Sequence, residues 1–186
     1  MEKKAQGFID QKKKEHRSLE IWFQDEARFG QKGISNRIWT VEGIRDQRPR
    51  QDGFKSAYII GAVNPVSGQK YSLLFDGLDG RVMSTFLIGL SKEIQPRRHV
   101  ILFVDGASWH SSEELEIPPN ITLYFLPPYS PELNPIERLW NYVKGNFLSR
   151  KIFQDMEDIF DVGSLAWRQL TRSQIKSICA SSLEVY

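Results

Sequence analysis

Two aspartates stand where apolar sequence gives way to polar sequence. Ile21 and Phe23 alternate with Trp22 and Gln24 and lead into Asp25, and an unbroken apolar run, 100–104, leads into Asp105. In open sheets covered by helices, sites form beyond the carboxyl ends of strands. Carboxylates on parallel neighbouring strands lie side by side, and two such anions repel unless one takes a proton or a cation sits between them. Mg²⁺ suits that place because it prefers oxygen ligands and keeps waters that a substrate phosphate can replace. Glu137, near the start of a helix-forming segment, supplies a third carboxylate. A pair of ions held roughly 3.5–4 Å apart by such a set can activate an attacking oxygen and stabilise a leaving one.

Each acid also has a plainer reading. Asp105-Gly106 after a strand is turn chemistry, as Asp76-Gly77 is elsewhere in the chain. Asp25-Glu26 reads equally as surface acids at a strand end. Asn134-x-x-Glu137 has the pattern of a capping box, in which the glutamate serves the helix terminus. Local pattern leaves these alternatives open, but it disfavours other chemistries. The sequence has no GxSxG, no P-loop, no GxGxxG after a strand and no HExxH. His16, His99 and His110 share no ligand spacing, and the single cysteine, Cys179, allows neither an intrachain disulfide nor a CxxC zinc site.

The elements that must position these acids follow from periodicity and turn chemistry. Strands are expected at 19–25, 37–41, 55–63, 69–75, 100–104 and 121–126. The segment 43–53 reads as a loop, and Asn64-Pro65-Val66-Ser67-Gly68 as a hairpin turn. A helix over 80–94 carries Val82, Phe86 and Leu90 on one side, and a short helical turn is expected at 111–116. Another helix starts with Asn134 as cap and Pro135 at its first position, with Ile136, Leu139, Trp140, Val143 and Phe147 on its apolar face. Helices over 155–170 and after Ser173 close the chain. Residues 1–18 are basic and read as a linker or frayed helix, an extension ahead of a catalytic domain at 19–186. A meander followed by β-α-β units gives an α/β fold, a mixed five-stranded sheet with helices on both faces. That is the element order of the ribonuclease H-like architecture.

Net charge is only +2, so partner preference must be read from where the charges lie. Basic residues gather in 1–18, at Arg45, Arg48 and Arg50, and at Arg138, Lys144, Arg150 and Lys151. Such patches in a near-neutral chain suit a polyanion, or are simply a solvated surface. No apolar run approaches the roughly 20 residues that span a bilayer, and the charged N-terminus lacks a signal-peptide core. The reading is a cytoplasmic protein with no membrane partner.

Longer words surround the acids. Phe23-Gln24-Asp25-Glu26-Ala27-Arg28-Phe29 followed by Arg37-Ile38-Trp39 resembles the opening of the catalytic domain of mariner-like DDE transposases, in particular their bacterial insertion-sequence branch. Gly61 to Gly68 is similar to that family's next hairpin, and Val104-Asp105-Gly106-Ala107-Ser108-Trp109-His110 to its second acid motif. The stretch from Leu126-Pro127-Pro128-Tyr129-Ser130-Pro131 through Asn134-Pro135-Ile136-Glu137 to Trp140 resembles its third motif along its whole length.

The resemblance implies that Asp25, Asp105 and Glu137 are the metal-binding catalytic acids, with two Mg²⁺ or Mn²⁺ ions. It implies metal-dependent cleavage of double-stranded DNA at an element's ends, then attack of the freed 3′-OH on target DNA. Trp39, His110, Arg138, Lys144 and Arg150 are expected to contact DNA. The sequence departs from the family in having Gly106 where asparagine is more usual, in the 31 residues between Asp105 and Glu137, slightly fewer than usual, and in lacking the helix-turn-helix region that reads element ends. A separately encoded helix-turn-helix part and a homodimer when active are therefore expected. The alternatives are an inactive transposase remnant that binds DNA without its recognition domain, and a stand-alone nuclease of the same fold.

Overall fold

The computed structural model describes residues 2–15, 18–32, 51–149 and 151–180. Five strands form one sheet: β1 (Leu19–Lys32), β2 (Asp52–Val63), β3 (Lys70–Phe75), β4 (His99–Val104) and β5 (Ile121–Phe125). Their order is β3-β2-β1-β4-β5. β1, β2 and β3 form an antiparallel meander, whereas β4 runs parallel to β1 and β5 parallel to β4. The mixed five-stranded sheet expected from the element order is present. The expected strand at 37–41 and most of the expected loop at 43–53 lie outside the described residues, and β2 begins at Asp52, earlier than the apolar pattern suggests.

The hairpin between β2 and β3 forms as its residue types require. Asn64 Oδ1 accepts from the Val66 and Ser67 N–H groups, both at 2.9 Å, and Gly68 takes a φ of 71°. That left-handed conformation is open to glycine at little cost.

Helix α2 (Gly80–Glu93) starts where Asp79 accepts from the Val82 N–H at 2.8 Å. It places Met83, Phe86, Leu87 and Leu90 on one face of the sheet, against Trp22, Ile60, Val100 and Leu102. The opposite face is covered by α3 (Ile136–Val143), α4 (Met156–Gln169) and α5 (Arg172–Cys179), packed on Ala27, Phe29, Ile59 and Val63. With helices on both faces, every residue of β4 is buried, as its unbroken apolar run predicts.

The N-terminal segment is neither linker nor frayed. Helix α1 (Glu2–Glu15) buries Ala5 and Ile9 against Phe23, Ile101, Phe103 and Leu126, and Phe8 meets Tyr124 with ring centroids 5.2 Å apart. Ala5 and Ile9, four apart, stack on one side of a helix whose other sides are charged. Burying an isoleucine contributes about 1.5–3 kcal/mol, enough to dock a helix that is otherwise strongly polar.

Two further expectations shift. The helical turn expected at 111–116 is a single hydrogen-bonded turn, in which the Leu115 N–H donates to the Ser112 carbonyl at 3.1 Å, and a 3₁₀ turn, Ser108–His110, precedes it. The helix expected to run through Phe147 ends at Val143 and passes into a wider π turn, Lys144–Leu148, where the Ser149 N–H donates to the Lys144 carbonyl at 2.8 Å. The last two helices lie close to expectation, with Asp155 capping α4 and a capping box at Thr171 and Gln174 opening α5.

Candidate active site

The parallel ladder between β1 and β4 ends at Phe23 and Phe103, whose rings stack with centroids 4.9 Å apart. Asp25 and Asp105 lie two residues beyond this pair, one on each chain segment. β4 stops at Val104, so Asp105 is the first residue past a strand end, as expected. Asp25 is different. β1 continues to Lys32 along β2, and Asp25 sits mid-strand opposite Gly61. What ends beside Asp25 is its parallel neighbour, and the opening so made is the site.

Glu137 arrives on the first turn of α3. Asn134, buried at its entrance, does not form the capping box that the spacing suggests: its Oδ1 accepts from the Ile136 N–H at 3.4 Å, without the reciprocal bond from Glu137. Its amide nitrogen donates to the Gln24 carbonyl at 2.9 Å. Asn134 therefore ties the start of α3 to β1 one residue before Asp25, and Glu137 is not spent on the cap. Gly61 helps from β2. A Cβ at this position would stand 2.7 Å from the Trp167 ring and 2.8 Å from that of Trp140, so its absence lets both rings lie on the strand. Asp25, Asp105 and Glu137 consequently line one cleft of about 380 Å³, walled by Pro127, Pro128 and Tyr129.

The turn reading of Asp105 is correct and compatible with a site. Its Oδ1 accepts from the Ala107 N–H at 3.0 Å, which orients the carboxylate while leaving its side chain half-exposed. His110 also meets it, with Nδ1 3.0 Å from Oδ1. His110, expected to contact DNA, is closed to solvent, which contradicts that expectation. The 3₁₀ turn folds it beneath Asp105, where Nε2 lies 3.3 Å from Glu26 Oε1. Glu26 Oε1 also accepts from Gln24 Nε2 at 2.8 Å and Trp109 Nε1 at 3.1 Å. Trp39 and Arg150 lie outside the described residues. Arg138 is exposed beside Glu137, and Lys144 is half-buried at the start of the π turn.

Electrostatics follow the packing. Burial, and then the charges of Glu137 and Glu26, push the Asp25 carboxyl up to about 8, with Asp105 adding to the effect. Asp105 is held below the ordinary carboxylate range by its contact with His110, against the effect of burial. Burial alone would push the His110 imidazole down, but the carboxylates of Asp105 and Glu26 outweigh it and raise it to about 9.

Among the described residues no three His, Cys, Asp or Glu side chains are gathered closely enough to hold one ion. The three acids share a cleft without closing on one point. Their all-oxygen donor set, and the penalty that Asp25 suffers from its neighbours' charge, fit a hard divalent cation.

Sequence reasoning missed four residues around this cleft. Glu26 and Gly61 gave no local signal, and Asn134 was assigned a different partner. The fourth, Tyr129, is wholly exposed at the rim with φ of 57°. A non-glycine residue in that region costs about 1–2 kcal/mol; the flanking Pro128 and Pro131 are the only sequence signal of a constrained bend.

The sheet order, the crossover through α2 and the acids at the β1/β4 break define a ribonuclease H-like fold. Its likeness to solved structures is extensive. It is similar to the Mos1 mariner paired-end complex with Mn, with a TM-score of 0.70 at 17% identity over 89% of this chain and 53% of that one. The Mos1 strand transfer complex gives 0.69 at 19% identity, over 98% and 57% of the two chains. The catalytic domain of Mos1 mariner transposase gives 0.62 at 17% identity, over 99% and 87%. The chain thus spans about half the length of the Mos1 chains in those complexes and most of the catalytic domain. Residues 20–159 match the DDE superfamily endonuclease family, and the chain belongs to it. It is also 41% identical over 114 residues to the uncharacterized protein y4pE/y4sA of Sinorhizobium fredii, covering 61% of this chain and 84% of that protein.

Proposed function

We propose that this chain is the catalytic core of a mariner-like transposase of the bacterial insertion-sequence branch, cutting DNA at an element's ends and joining the freed 3′-OH to target DNA. The observation that carries the reading is the opening of Asp25, Asp105 and Glu137, from three separate elements, onto one cleft beside the end of β4. In it these three residues hold Mg²⁺ or Mn²⁺, two ions in the active complex. Bound metal supplies Lewis acidity at the phosphate oxygens. The protein's own part is placement. Strand pairing fixes Asp25, the Ala107 N–H and His110 orient Asp105, and α3, tied down through Asn134, presents Glu137.

Double-stranded DNA is the partner. The similar Mos1 structures are described as paired-end and strand transfer complexes, one of them with the left transposon end. Arg138 and Lys144 bind backbone phosphate, which contributes affinity without sequence preference. Tyr129 offers an aromatic face at the rim on which a base can stack. Residues 19–186 make the catalytic domain, with 1–18 preceding it. A helix-turn-helix part supplies end recognition, and the active species is a homodimer. The protein acts in the cytoplasm at the nucleoid; no described helix is long and apolar enough to cross a membrane.

The test is a nicking and joining assay on supercoiled DNA carrying element ends, with Mn²⁺, Mg²⁺ or EDTA. Metal-dependent nicking followed by joined product supports a transposase. Nicking without joining, in the presence of the end-reading part, points to a stand-alone nuclease. No nicking under any metal condition points to an inactive remnant.

A further inference from the structure

The cleft opens on the sheet face that carries Phe23 and Phe103, but one of its acids is braced from the other side. Side chains alternate along a strand, so Glu26 points opposite to Asp25, toward the face covered by α2. There its carboxylate is almost closed to solvent and receives Gln24 Nε2 at 2.8 Å and Trp109 Nε1 at 3.1 Å. A carboxylate so buried is held in one place by its donors. His110 stands between this fixed group and the site, with Nε2 3.3 Å from Glu26 Oε1 and Nδ1 3.0 Å from Asp105 Oδ1. The Nε2 contact lies within ion-pair reach but off good hydrogen-bond geometry, so the imidazole is held mainly by charge and by its other nitrogen. That nitrogen is also 3.1 Å from the Asp105 backbone carbonyl.

We propose that Glu26 and His110 are positioning residues that set the orientation of the Asp105 carboxylate, so that the chain Glu26–His110–Asp105 tunes how tightly the cleft takes a divalent cation. The inference rests on the reading of Asp105 as a metal-holding acid. The geometry gives it a direction. With Glu26 in place, the imidazole is anchored between two carboxylates and meets Asp105 through Oδ1. Without Glu26, the imidazole loses its anchor and no longer fixes the Asp105 carboxylate firmly. Partners that orient metal-binding carboxylates typically change metal affinity by about 10–100-fold when removed.

The experiment titrates the full chain with Mn²⁺, following binding by calorimetry, for the parent, Glu26→Gln, His110→Ala, His110→Asn and Asp105→Asn. Melting temperature is measured for each. Glu26→Gln keeps the shape and can still accept from Trp109 but loses its charge; it is expected to weaken Mn²⁺ binding about 10-fold. His110→Ala is expected to lose up to about 100-fold. His110→Asn, whose amide can still donate to Asp105, is expected to recover part of that loss. Nicking by the same variants should return as Mn²⁺ is raised, with the KM for DNA unchanged, which damage to the fold would not allow. Mn²⁺ affinities within twofold of the parent for Glu26→Gln and His110→Ala, with binding lost in Asp105→Asn, overturn the positioning role and leave the site reading standing. Full affinity in Asp105→Asn overturns the site reading itself. Losses that track melting temperature across all the variants, with no recovery in His110→Asn, also overturn the positioning role.

Discussion

Asn134 donates its side-chain amide to the Gln24 carbonyl at 2.9 Å, a bond between residues 110 positions apart. Both residues are buried, so the carbonyl has no water to fall back on. The bond fixes where α3 begins relative to β1, and so where Glu137 stands relative to Asp25. Asn134→Ala leaves a buried carbonyl unpaired, which costs about 1–3 kcal/mol. Chemical denaturation is expected to show a loss of that size, and nicking a further fall at temperatures where the variant is folded. Parent-like nicking in the folded variant would mean that α3 is placed by its apolar face alone.

Gly61 faces Asp25 across the β1–β2 ladder, and the Trp140 and Trp167 rings occupy the space that a side chain would need. Those two rings lie 5.2 Å apart in the core and have little room to retreat. Gly61→Ala is expected to destabilise the protein by about 1–3 kcal/mol through overpacking and to displace the helix that carries Glu137. Thermal unfolding and the Mn²⁺ affinity of the folded variant check both parts. A fully stable Gly61→Ala protein would show that the rings can shift freely.

The raised Asp25 carboxyl predicts a pH dependence for the metal-free protein. Its folded-state value is about 8 against an ordinary 3.8, with burial the largest cause and Glu137 the next. Between those values the folded state keeps a proton that the unfolded state has lost, so stability falls as pH rises through the window. Asp25→Asn removes this dependence. The stability of the parent relative to Asp25→Asn, without metal, is therefore expected to decline from about pH 5 to pH 8. Mn²⁺ favours the charged carboxylate and should stabilise the parent more at pH 8 than at pH 6. A difference that is flat or rising with pH would show that Asp25 is ionised without metal.

Much of this arrangement was legible in the sequence because it depends on local pattern. The unbroken apolar run before Asp105 announced a strand covered on both faces, and Asn64 to Gly68 announced a hairpin. Other features depend on partners distant in sequence. β1 runs past Asp25 because β2 continues beside it, and only pairing reveals that. Asn134 accepts from the Ile136 N–H as its residue type suggests, but its amide nitrogen also reaches a carbonyl of another element, which only the fold reveals. His110 looked like a polar group available to DNA, yet the turn after Asp105 buries it. In α1 the pattern was readable: Ala5, Phe8 and Ile9 have helical spacing within a charged stretch, but few apolar residues give little signal until the surface they cover is known.

The central claim is that Asp25, Asp105 and Glu137 together hold the metal that cuts DNA, and the third acid is its most exposed part. Glu132 is the competing carboxylate, exposed in the 3₁₀ turn Pro131–Leu133, five positions before Glu137. The deciding measurement compares Mn²⁺-dependent nicking of supercoiled DNA by Glu137→Gln and Glu132→Gln, each verified as folded. Glutamine keeps the shape and removes the charge. Glu137→Gln is expected to lose at least about 100-fold in rate, or ~2.7 kcal/mol of transition-state stabilisation, with Glu132→Gln close to the parent. Normal nicking by Glu137→Gln together with loss in Glu132→Gln would contradict the account and move the third acid from α3 to the loop before it.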